Sequence, residues 1–153
     1  MHVRRLSIVA TFALITFAAS GALRADGAAL YATHCVACHQ PDGNGAEGLA
    51  PPLTGVLAKR AKVPGGREYL AQVVVSGMVG TITSRGVKYN GNMPSAAALS
   101  DEELSEVLGY VLARFNDSPL PMPVTLFVGA RNKGLQPMAV RQQRERILAE
   151  VGE

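Results

Sequence analysis

Apolar and polar positions divide the chain into unequal parts. An unbroken apolar run from Leu6 to Ala22 (LSIVATFALITFAASGA) follows Arg4 and Arg5 and has no polar face. Residues 26–33 (DGAALYAT) read as a short helix leading into a pair of cysteines. The next stretch, residues 41–55 (PDGNGAEGLAPPLTG), is too rich in Gly and Pro for regular structure. Helical spacing returns from Arg67 to Ser76, where Leu70, Val73 and Val74 share a face. A second irregular stretch lies between Gly77 and Pro94, with a small hairpin expected from Val79 to Tyr89. The longest amphipathic element begins at Ser100, which forms a capping box with Glu103. Leu104, Val107, Leu108, Val111, Leu112 and Phe115 then recur at steps of three and four, giving one apolar stripe. Residues 116–123 (NDSPLPMP) end it, and another helix is expected from about Met138.

The first run has the shape of a signal peptide: a basic start, an apolar middle and small residues near a cut. Ser20-Gly21-Ala22 suits cleavage after Ala22, and Ala25 is a second possible last residue, so residues 1–25 are assigned to the signal. The protein is expected to be periplasmic or secreted. Were the run uncleaved it would tether the protein to a membrane, since it approaches the roughly 18 residues that begin to suffice for a span. Its interior Thr, Ser, Gly and Ala residues make it weakly apolar and favour cleavage. Charge changes with this reading. The chain has 15 Lys and Arg against 12 Asp and Glu, but Arg4, Arg5 and Arg24 precede residue 26, which leaves 12 against 12. A neutral mature chain without a basic face argues against a nucleic-acid partner.

Residues 26–117 form the expected folded domain, and residues 118–153 a C-terminal extension. Pro119, Pro121 and Pro123 give the extension an extended start. Its Met138, Ile147, Leu148 and Val151 are too sparse to make a core alone, so it reads as a loosely ordered, solvated and dispensable tail. The domain itself is short of core. A few short helices separated by long Gly/Pro loops need a disulfide, metal or cofactor to complete them.

Cys35-Val36-Ala37-Cys38-His39 supplies that filler. Positions 35, 38 and 39 share one face of a helical turn. Two thiols there can add to the vinyl groups along one edge of a haem, with the His39 imidazole beneath the iron. An exported chain with two cysteines would otherwise suggest a disulfide. A thioredoxin-like pair would need a strand–helix unit around it. Zinc could recruit His34, Cys35, Cys38 and His39, but six consecutive residues do not easily wrap a tetrahedron. One covalently bound haem c is therefore expected. For the second axial position Met78, Met93, Met122 and Met138 compete, thioether sulfur being a suitable iron ligand. Met93 stands out because it follows Asn90-Gly91-Asn92 and precedes Pro94, in a loop that enters the capped helix.

With these motifs, residues from about Gly27 to Phe115 resemble a class I, mono-haem cytochrome c. The resemblance rests on Leu30 and Tyr31 before C-x-x-C-H, on Ala50-Pro51-Pro52-Leu53, on Met93-Pro94 and on the helix LSDEELSEVLGYVLARF. It implies an all-α fold of three or more short helices around a covalently attached haem. It also implies that Pro51 offers its carbonyl to the His39 ring, and that Gly27, Leu30 and Tyr31 cross Val107, Leu108, Tyr110 and Val111. The implied activity is single-electron transfer between redox proteins such as a dehydrogenase, reductase or terminal oxidase, without catalysis of its own. A haem-bearing subunit of a periplasmic dehydrogenase or oxidase, and more remotely a haem peroxidase, are the alternatives. Tyr89 reads equally as a core residue or as a donor to the Met93 sulfur or a haem propionate. Arg85 or Lys88 could meet a propionate, although solvated charges are commoner. Lys59, Arg60, Lys62 and Arg67 read as a solvated basic face.

Overall fold

The computed structural model describes residues 26–152, so the signal assignment for residues 1–25 lies outside it. The elements follow in the order α1 (Gly27–His34), α2 (Val36–His39), α3 (Leu57–Lys62), α4 (Gly66–Ser76), β1 (Met78–Ser84), β2 (Val87–Met93), α5 (Asp101–Asn116), α6 (Val124–Lys133) and α7 (Pro137–Val151). The architecture is helical apart from the antiparallel hairpin β1–β2, which is longer than the expected span and pairs Met78 with Met93 at its open end.

Two helix crossings build the first layer. Asp26 caps α1 by accepting a hydrogen bond from the Ala28 N–H at 2.9 Å. The helix then meets α5 at Gly27, where an added Cβ would lie 2.4 Å from the Glu106 carbonyl oxygen and 2.8 Å from Tyr110 Cβ. Only a residue without a side chain allows that approach. Above it Tyr31, 2% exposed, stacks with ring centroids 5.7 Å from Tyr110 and 5.1 Å from Phe115. Its hydroxyl donates to the Gln40 carbonyl at 2.8 Å. The α5 capping box forms as read, with Ser100 N–H to Glu103 at 2.8 Å and Glu103 N–H to Ser100 Oγ at 3.2 Å. The whole apolar stripe of α5, from Leu104 to Phe115, is buried.

The extension is not a loose tail. Pro123 starts α6, Gly134 in the left-handed region ends it, and Pro137 opens α7. Met122, Phe127, Ala130, Val140 and Ile147 are buried in the same cluster as Leu70, Ala71, Val75 and Leu104. The sparse apolar residues suffice because α4 is apolar on two sides. Leu70 and Ala71 are both buried along with Val75, and the Gln72 amide donates to the Ala130 carbonyl at 3.2 Å. Arg144, on the far end of α7, donates to the Thr83 carbonyl at 2.7 Å and ties the extension to the hairpin. Arg60 departs from the expected solvated basic face: it is 6% exposed.

Candidate haem site

The C-x-x-C-H turn closes on itself. The Cys38 and His39 N–H groups both donate to the Cys35 carbonyl, at 3.2 and 2.9 Å. Residues 35, 38 and 39 are thereby kept on one helical face. Both cysteines are free thiols, half-buried. Burial pushes the Cys35 thiol above its ordinary range, and the neighbouring Cys38 adds to this. Among the described residues no three His, Cys, Asp or Glu side chains converge to hold a metal ion, so the zinc alternative finds no cage.

His39 is 9% exposed, and its Nδ1 lies 3.1 Å from the Pro51 carbonyl oxygen. A carbonyl only accepts, so the proton of the neutral ring sits on Nδ1 and Nε2 keeps its lone pair for a metal. Burial holds the imidazole below the usual histidine range, against the opposing pull of the Pro51 carbonyl. The Pro/Gly loop is what delivers that carbonyl. Gly45 N–H donates to the His39 carbonyl at 3.0 Å, Leu53 N–H donates to Gly43 at 2.7 Å, and Ala46 and Ala50 form a bridge. At Gly45 an added Cβ would lie 2.2 Å from the Ala50 oxygen. A side chain there would push Pro51 away from the histidine.

The hairpin brings the methionines to this neighbourhood. Met78, Gly80, Ile82 and Ser84 share a face with Val87, Tyr89, Gly91 and Met93, while Val79, Thr81, Thr83, Lys88, Asn90 and Asn92 are exposed on the other. Beneath the first face, an added Cβ on Gly91 would lie 3.3 Å from the Leu49 carbonyl oxygen, so the hairpin lies against the Pro/Gly loop. Burial sorts the four candidates. Met122 is 4% exposed and belongs to the packing of the extension, while Met138 is 59% exposed on α7. Met78, 8% exposed, is part of the core, and Met93 is half-buried at its edge. Tyr89 is buried. Arg85 donates to the Thr54 carbonyl, and Lys88 points to solvent.

Some residues that shape the site escaped the sequence reading. Gly77 is one: a Cβ would lie 2.4 Å from the Met93 carbonyl oxygen, so its bare backbone supports the methionine segment. Arg131 is another, reaching from α6 to the Asp101 carboxylate at 2.7 Å. Neither stands in a motif, and only folding brings them near Met93.

Comparison with known proteins agrees with this arrangement. The cytochrome c family model matches residues 24–114. Cytochrome c-552 of Thermus thermophilus is 39% identical over 129 residues, covering 81% of this chain and 98% of that protein. A second cytochrome c-552, from another strain of the same species, is likewise 39% identical over 129 residues, covering 81% of this chain and 86% of its own. That share of the chain exceeds the family match, so the likeness takes in residues outside the central domain. One C-x-x-C-H turn, its histidine steered by a proline carbonyl, and similarity over most of the chain lead to one conclusion: the protein belongs to the cytochrome c family and is a mono-haem electron carrier with covalently bound haem c.

Proposed function

We propose that the protein carries single electrons between periplasmic redox proteins, with haem bound through Cys35 and Cys38 and its iron held between His39 and Met93. The observation that carries this reading is the His39 Nδ1 to Pro51 contact of 3.1 Å, at the end of a turn that presents both thiols on one face. The fixed ring aims Nε2 away from the loop, as a ligand nitrogen must be aimed. The haem supplies one-electron chemistry between ferrous and ferric iron. What this chain contributes is the orientation of His39, a sulfur that favours the ferrous state and raises the potential, and shielding from water by α1, α5 and the hairpin.

With both axial positions filled no coordination site remains for substrate, so the reading excludes a peroxidase. Ferric protein should then bind cyanide only sluggishly. The donor and acceptor would be a dehydrogenase, reductase or terminal oxidase, met through a small transient interface. Export by residues 1–25 would place the encounter in the periplasm. Among the described residues no helix is long and apolar enough to cross a membrane.

The ligand assignment has a direct test. Met93→Ala should abolish the far-red sulfur-to-iron band of the oxidised protein and lower the midpoint potential. Met78→Ala should keep the band and lose only packing, about 2–5 kcal/mol for a buried methionine. Loss of the band with Met78 in place of Met93 overturns the assignment.

A further inference from the structure

Between Met93 and the first turn of α5 the chain has no helix or strand, so the position of the methionine depends on side-chain and backbone anchors. One set comes from α4. Ala96 N–H donates to the Val74 carbonyl at 2.8 Å, Ser95 Oγ donates to the Val75 carbonyl at 2.6 Å, and Ala97 N–H donates to Ser95 Oγ at 3.0 Å. The other set comes from a single residue of the extension. Arg131 on α6 donates from Nη1 to the Ala97 carbonyl at 3.0 Å, from Nη2 to the Leu99 carbonyl at 2.6 Å, and from Nε to Asp101 Oδ1 at 2.7 Å. One planar guanidinium thus engages three alternate residues of the segment and fixes their relative placement. Its rigid fork of donors makes this possible, and an ammonium could not reproduce it. The ion pair is partly shielded, with the Arg131 and Asp101 side chains 33% and 19% exposed. Arg131 lies beyond residue 114, where the family match ends.

We propose that Arg131 is a positioning residue for the methionine ligand, and that through it the C-terminal extension controls how readily a foreign ligand enters the second axial position. This rests on Met93 being that ligand. Thioether sulfur leaves iron when its loop swings out. Such an opening is local and requires less free energy than unfolding of the chain. The two ends of the segment are held independently of Arg131, by pairing of Met93 with Met78 and by the α5 capping box. The stretch between them has only the α4 contacts and the guanidinium. Removing the guanidinium raises the population of the open segment, and the affinity of any ligand that needs the open form rises in proportion.

Imidazole binding to the ferric holoprotein, followed by absorbance, reads that population. Arg131→Met keeps an unbranched apolar stem and removes all three donors. It should bind imidazole about tenfold more tightly, the factor expected for one lost charge-assisted hydrogen bond. Arg131→Lys retains a charge for Asp101 without the fork and should stay closer to the Met variant than to the parent. Ile147→Val thins the packing of α7 without touching the segment. It should melt earlier yet bind imidazole as the parent does. An Arg131→Met protein that melts earlier but binds imidazole like the parent shows a purely structural arginine and overturns the proposal. If Met93→Ala keeps the far-red band, the segment carries no ligand and the proposal falls with that reading. If Met93→Ala loses the band while imidazole affinity ignores Arg131, the role of Arg131 alone is refuted.

Discussion

Phe127 is fully shielded from solvent, although it sits in a segment with few apolar residues of its own. Truncating it to Ala measures how firmly α6 is packed. In a loose tail the ring would be in water before and after unfolding, and the substitution would change stability very little. In the packed arrangement the change forfeits both the transfer of the ring and the contacts around the space it leaves, together about 3–5 kcal/mol for a buried Phe. Its neighbours in the cluster include Leu70, Ala71 and Met122. Methionine is flexible enough to fill part of the gap, so the lower half of that range, about 3–4 kcal/mol, is expected. At about 4 °C per kcal/mol for a domain of this size, melting should fall by about 12–16 °C. Guanidinium unfolding of the ferric holoprotein, followed by helical circular dichroism and by haem absorbance, gives the free energy directly. The midpoint should drop with the denaturant slope unchanged, since the same surface is exposed on unfolding. Phe127→Leu keeps most of the apolar volume and should lose less than half as much. A loss for Phe127→Ala within about 0.5 kcal/mol, the range of ordinary surface changes, would refute the packed extension.

Gly27→Ala should cost about 1–3 kcal/mol through overpacking, more than the better helix propensity of Ala restores. Urea unfolding checks it, and an unchanged or raised midpoint would show that α1 can slide on α5. Tyr69 is 3% exposed, and burial pushes its hydroxyl from 10.0 up to about 12, with Arg144 and Arg60 pulling the other way. Below pH ~10 the proton is bound in folded and unfolded chains alike. Between about 10 and 12 the unfolded chain releases it first, so stability falls as pH rises, by up to about 2.7 kcal/mol from this group. Tyr69→Phe should flatten that part of the alkaline decline in unfolding measured across the window. The share of Tyr31, also pushed up to about 12, should remain.

The parts of this protein that depend on neighbours in sequence could be read from sequence. C-x-x-C-H is one turn of chain, and the Ser100–Glu103 box and the stripe from Leu104 to Phe115 follow from helical period alone. A haem reading for Cys35, Cys38 and His39 therefore needed no tertiary knowledge. The tertiary structure decided which surfaces meet. The extension has too few apolar residues to fold alone, and only the second buried side of α4, with Ala71 fully shielded, turns Phe127, Val140 and Ile147 into core. The short helices α3 and α6 left weak periodic signals, since six and ten residues span barely two or three turns. Glycine roles were hidden for a related reason. Gly27, Gly45 and Gly77 matter because of what approaches them from elsewhere in the chain, namely Glu106, Ala50 and Met93. Arg131 looked like one more surface charge on a tail. Its three acceptors lie between 30 and 34 residues away in sequence, a separation that no local pattern encodes and only the packing of α6 closes.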